Sequence, residues 1–306
     1  MKLCDWREFC HNDAMESFIS QLFVPLTSLL SLFAYSFILS LYVALIYLVV
    51  AAGFWLSTKS QLSYRAQTIL ISIGLLLHGR MLYQDVFYNG FDFNLSYALS
   101  AIFWLTVLIY WLASLSLFNS NHQLNSLQAF VLPPAALFAL LPTLTKQSHF
   151  IYEPLSPLFI AHIAIALLAY SLFTFAALHA LLMTIAERSL HNKPTMLKLP
   201  SFPPLMVMET LLFRVITIGF ILLTLTLISG MLFSEQIFGK VFEFKENGHK
   251  IVFSIASWLI YGWLLFGRYQ YGWRGKKAIR WTLAGFGLLL LAYVGSKFVL
   301  EVILKH

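Results

Sequence analysis

Between Lys250 and Leu304 two apolar runs, 251–266 and 279–304, flank a knot of positive charge. The intervening turn, 268–280, holds Gly272-Trp273-Arg274-Gly275 followed by Lys276 and Lys277, the densest cationic cluster in the chain. The two runs read as bilayer spans, and lysine and arginine between spans are retained on the cytoplasmic side. This hairpin predicts a polytopic membrane protein and orients every other helix. Composition agrees: of 306 residues 59% are hydrophobic and 11% charged, against about 25% charged in a soluble domain. So much apolar surface needs lipid as its solvent, the bilayer being the first partner implied.

The net charge of +7 lies in short loops between apolar runs, not on one face of a soluble domain, which argues against a nucleic-acid partner. Cys4 and Cys10 form no CxxC, and nothing else completes a zinc or iron–sulfur site. Asp5, Glu8, Asp13 and Glu16 do not suit a cleavable signal peptide. Met15 could be the start in place of Met1.

The expected organisation is a polar tail over 1–21 and one all-α domain of eight transmembrane helices over 22–306. The six spans before the hairpin are placed at 28–55, 62–83, 95–118, 127–144, 158–187 and 209–233. Pro133, Pro134 and Pro142 predict a kink or a delayed start in the fourth. Eight spans put both termini on one side. With the Gly272 turn inside, the inner segments hold Lys59, Arg65, Arg188, Lys193, Lys198, Arg214, Arg268, Arg274, Lys276, Lys277 and Arg280, eleven of the 20 basic residues. Of the 13 acids only Glu187 and Glu209 fall inside. Both termini are therefore expected on the outer side.

An ionisable group within a span costs roughly 2.5–3.5 kcal/mol at the helix centre, so each is a functional candidate. His78 is expected near the outer end of the second helix, about 7 Å from Tyr83, and His162 about 6 Å from Leu158 at the outer start of the fifth. Two imidazoles at matched depth could ligate one haem iron from opposite faces. The other reading is two separate histidines bonding neighbouring helices. His179, about 25 Å further along the fifth helix, cannot share a ligand with His162 and is expected to bond a neighbouring helix. Arg214 and Arg268 lie near the inner boundary, where they either snorkel to lipid phosphates or bind propionates. No phosphate loop, His-Glu-x-x-His or Gly-x-Ser-x-Gly is present.

Three stretches carry a resemblance. The first is Pro203-Pro204-Leu205-Met206 with Glu209, Arg214, Ile218-Gly219-Phe220, Leu222 to Leu227 and Ser229-Gly230. The second is Lys250, Trp258-Leu259-Ile260-Tyr261 and Gly272-Trp273-Arg274-Gly275. The third is Gly285 with Leu291-Ala292-Tyr293 and Gly295-Ser296. Together they resemble the cytochrome c assembly protein family, the haem-handling group that includes CcsA and CcmC, in its YpjD-like branch. His162 with Ala169-Tyr170-Ser171 fits the family's outer histidine motif, and His78 its early helix histidine.

The resemblance implies a bacterial inner-membrane protein with haem b held by His78 and His162, and with Arg214 and Arg268 near the propionates. Members that attach haem carry a Trp-rich segment between the sixth and seventh helices, and here 235–249 has no tryptophan. The family's histidine before the Gly-Trp-Arg-Gly turn is replaced by Arg268 and Gln270, and only the terminal His306 could serve as the one after the last helix. A haem-binding or haem-passing protein without ligase activity is therefore expected. The alternative is a non-haem scaffold or accessory subunit of another inner-membrane complex, a transporter or a regulator of haem synthesis, acting through a protein partner.

Overall fold

A computed structural model describes residues 35–53, 63–87, 91–92, 94–116, 125–145, 150–151, 156–191, 204–232 and 244–295. Among these residues there are eight helices: α1 (Tyr35–Gly53), α2 (Tyr64–Phe87), α3 (Leu95–Ser116), α4 (Asn125–Leu144), α5 (Pro157–His191), α6 (Leu205–Leu232), α7 (Phe244–Tyr271) and α8 (Lys276–Leu290). A single π-type turn, Leu291–Gly295, continues α8. They correspond one to one with the helices expected from the sequence.

Six of them, α1 and α3 to α7, are long and apolar enough to cross a membrane. The α2 helix carries Arg65, Arg80 and Asp85, and α8 is 15 residues long before its π turn. The lipid-facing surface is plain on α6, where Ile218, Ile221, Leu225 and Ile228 recur at helical spacing and are all exposed. In hydrocarbon such a face costs nothing, while the backbone satisfies itself within each helix.

Side-chain caps set several helix starts. Ser63 Oγ accepts the Ala66 N–H at 3.3 Å, Asn94 Oδ1 that of Tyr97 at 3.1 Å, and Ser156 Oγ that of Phe159 at 3.3 Å. Pro157 occupies the first position of α5, where no N–H is needed. The α4 helix corrects one expectation: it begins at Asn125 and continues through Pro133, Pro134 and Pro142, so the prolines do not delay its start. Helices packed in a bundle tolerate the lost backbone bonds.

A two-residue antiparallel ribbon pairs Phe91 with Ile151 and Asp92 with Phe150. It ties the α2–α3 connection to the α4–α5 connection and marks one end of the bundle, here the ribbon end. The Gly272–Gly275 turn marks the other, here the turn end. Central α5 packs on α3, α4, α6 and α8, and α3 lies against both α2 and α5.

The core near the middle of α5 explains two glycines of the family resemblance. Phe173 of α5 stacks on Tyr261 of α7 with ring centroids 4.0 Å apart, and both are fully buried. A Cβ on Gly219 of α6 would lie 3.1 Å from the Phe173 ring, and one on Gly285 of α8 2.9 Å from Tyr261. Small residues here let α6 and α8 close on the aromatic pair. Tyr261 also donates its hydroxyl to the Thr282 carbonyl at 3.3 Å.

The cationic turn is shorter than the sequence suggested. Arg268 lies in the last turn of α7 and Lys276 opens α8, which leaves 272–275 as the connection. Gly272 and Gly275 have φ of 62° and 57°, values that favour glycine. Gly272 N–H donates to the Arg268 carbonyl at 3.1 Å, a left-handed helix cap, and Trp273 N–H to that of Gly267 at 3.2 Å. The Trp273 indole then folds onto α7 where any Cβ on Gly267 would overlap it. The Gly-Trp-Arg-Gly sequence is thus the stereochemical formula of this turn.

Candidate functional site

His78 is fully buried between three helices. Its Nε2 is 2.9 Å from Ser100 Oγ on α3, and its Nδ1 is 3.5 Å from the Tyr47 hydroxyl on α1. The Tyr47 ring reaches this position because position 74 is glycine, where a Cβ would stand 2.7 Å from the ring. Both nitrogens of His78 therefore face hydroxyls, as expected of a residue that links helices.

His162 is half-buried on α5 with Nδ1 2.8 Å from Ser229 Oγ on α6. Ser229 also donates to the Thr226 carbonyl at 3.0 Å. Where Ser229 spends its one proton on that carbonyl, it accepts from Nδ1–H, and the Nε2 lone pair is then the basic one, the tautomer that a metal-ligating histidine adopts. Gly230 is next to the ring, where an added Cβ would be 3.4 Å from Cε1.

The ribbon places both histidines toward one end of the bundle. Their depths match less closely than expected, because α2 runs on to Phe87. By helical rise His78 lies about 14 Å from that end, and His162 about 8 Å from the start of α5. Among the described residues, His78 bonds toward α1 and α3, and His162 toward α6.

The remaining candidates gather at the turn end. His179 meets the Met208 carbonyl of α6 at 2.8 Å through Nε2, and its buried Nδ1 has no hydrogen-bond partner among the described residues. Arg268 donates Nη1 to the Trp273 carbonyl at 3.1 Å and lies 4.7 Å above the Phe213 ring, holding the turn against α6. Arg214 is exposed on α6, about 22 Å by helical rise from Ser229. Both acids expected at this end meet the turn: Glu209 Oε1 accepts the Gly275 N–H at 2.8 Å, and Glu187 is 3.8 Å from Lys276 Nζ.

Sequence reasoning missed Tyr47, Ser100 and the role of Ser229. A lone hydroxyl in an apolar helix gives no signal of its own, and only Ser229-Gly230 stood inside a recognised stretch. Among the described residues no three His, Cys, Asp or Glu side chains converge on a metal position. A porphyrin brings its own four nitrogens and asks for one or two axial ligands. His162 and His78 are the two imidazoles in the described bundle that could answer that demand, His78 only by releasing one hydroxyl.

The model of the Cytochrome C assembly protein family matches residues 66–304. The chain is 35% identical over 177 residues to Inner membrane protein YpjD of Escherichia coli strain K12, covering 56% of this chain and 65% of that relative. It spans less than two thirds of that relative's length. It is 24% identical over 314 residues to Cytochrome c biogenesis protein CcsA of Prochlorococcus marinus strain MIT 9301, covering 93% of this chain and 96% of the other. An uncharacterised 28.8 kDa protein of Azospirillum brasilense is 33% identical over 144 residues, 47% of this chain and 52% of its own length. No solved structure matches.

Proposed function

The chain belongs to the cytochrome c assembly protein family, and from that premise we propose that it binds haem b within the membrane without attaching it to a polypeptide. His162 and His78 are the residues that would hold it. The observation that supports this reading is the Thr226–Ser229–His162 relay, which orients the His162 ring through its Nδ1. Bound there, haem would supply an iron that can carry an electron or be passed to a partner. The side chains orient the ring, and the apolar helices exclude water. The similarity to a protein named for cytochrome c biogenesis supports a haem-handling role, and the relative named for the inner membrane supports that location. The ribbon end then faces outward and the cationic turn the cytoplasm.

Arg214 and Arg268 do not suit propionates of the same haem. Arg214 is some 22 Å along α6 from the His162 contact, and Arg268 is engaged in the turn. We assign them to the opposite interface. The absence of tryptophan over 235–249 supports a protein without ligase activity.

The test is an absorption spectrum of detergent-purified protein beside His162→Ala and His78→Ala. A reduced low-spin band pair is expected, lost in His162→Ala and converted to a high-spin, five-coordinate spectrum in His78→Ala. A flat spectrum after haem addition overturns the reading. It would favour the second one, a scaffold that acts through a protein partner, which the hydroxyl contacts of both histidines support as helix-to-helix bonds. Stable co-purification of a membrane partner would then be expected.

A further inference from the structure

At the turn end a cleft of about 600 Å³ opens between the last turns of α5 and the first turns of α8. Its walls include Glu187 and Arg188 from α5 and Lys276, Arg280 and Leu283 from α8, over buried Ile279. Three cations thus face one carboxylate. Glu187 is within 3.8 Å of Lys276 Nζ and offsets that ammonium. Arg188 and Arg280 remain as excess positive charge, and both are exposed. At the start of α8 the Glu209 carboxylate accepts the Gly275 N–H and offsets part of the positive field of that helix end, so the excess rests on the two arginines.

We propose that this cleft is a binding site for a phosphate group presented at the membrane surface, with an anionic lipid headgroup or free phosphate as its source. Arginine forks match phosphate oxygens two at a time, which an ammonium cannot do. The apolar wall of Ile279 and Leu283 beneath the charges fits a headgroup whose acyl chains enter the bilayer, and so favours the lipid. A lipid seated there would bridge α5 to α8 at the end where Glu209 already holds the turn. The site stands independently of the haem reading.

The test exchanges the purified full-length chain against phosphatidylglycerol or phosphatidylcholine and counts retained lipid by native mass spectrometry. Phosphatidylglycerol is expected to be retained preferentially. Arg188→Ala/Arg280→Ala lowers that retention about 25-fold, at about 5-fold per arginine near a charged surface. Arg274→Ala/Lys277→Ala removes the same charge from the same end of the bundle outside the cleft and leaves retention unchanged. Displacement of the lipid by millimolar inorganic phosphate would keep the site and make free phosphate its source. Equal loss in both double variants, or no preference for the anionic lipid together with no phosphate binding, overturns the proposal. Should the first double variant not fold, Arg280→Gln replaces it, with about a 5-fold loss expected and no loss counting against the site.

Discussion

His78 and His162 are the same residue type near the same end of one bundle, yet their surroundings give them different capacities. His78 is enclosed by α1, α2 and α3, with a hydroxyl at each nitrogen. His162 is half-buried, with Ser229 Oγ 2.8 Å from its Nδ1 and 3.0 Å from the Thr226 carbonyl. The first arrangement ties both ring nitrogens into the packing and binds helices together. The second orients the ring against α6 through Nδ1. Burial alone therefore does not mark a ligand.

The largest effect that would break this contrast is in His162→Ala, which should abolish haem binding by titration while the helical circular dichroism persists. If haem still binds with unchanged affinity, the relay is only structural. Next comes Ser229→Ala. Loss of a partner that orients a ligating histidine typically costs 10–100-fold in affinity, so a weaker haem complex with an unchanged fold is expected, whereas Ser100→Ala should weaken it less. His78→Phe keeps the volume but leaves Ser100 without its partner. We expect about 1–3 kcal/mol of destabilisation, seen as a lower melting temperature in detergent. The smallest effect belongs to Tyr47→Phe. A contact of 3.5 Å is at the limit of a hydrogen bond, and its removal should change stability by less than about 0.5 kcal/mol. A large effect there would show that His78 depends on α1 more than the distance implies.

Much of the helix inventory was legible in the sequence. Apolar runs near 20 residues, Ser63, Asn94 and Ser156 at helix starts, and Gly272 and Gly275 around the turn each carry a local signal. The errors are at helix ends. The seventh helix begins at Phe244, within the 235–249 segment that the sequence placed between the sixth and seventh helices, and α5 extends to His191. At 35 residues α5 spans about 52 Å, well beyond the roughly 30 Å hydrocarbon core. Hydropathy falls where a helix leaves lipid, but the hydrogen-bonded backbone does not stop there. The candidate site was legible only as two histidines, because Ser229 and Ser100 become partners through helix packing. Their sequence separations are 67 and 22 residues from the histidines they meet.

The sequence by itself determined that this chain belongs in a bilayer, where its spans run, and which end carries the cationic turn. These follow from hydrophobic length and charge placement, both additive along the chain. The tertiary structure decided that Ser229 meets His162, that Arg268 and Glu209 fasten the turn, and that Gly219 and Gly285 admit the Phe173–Tyr261 stack. Those depend on the distance between atoms on different helices, and that is a property of packing.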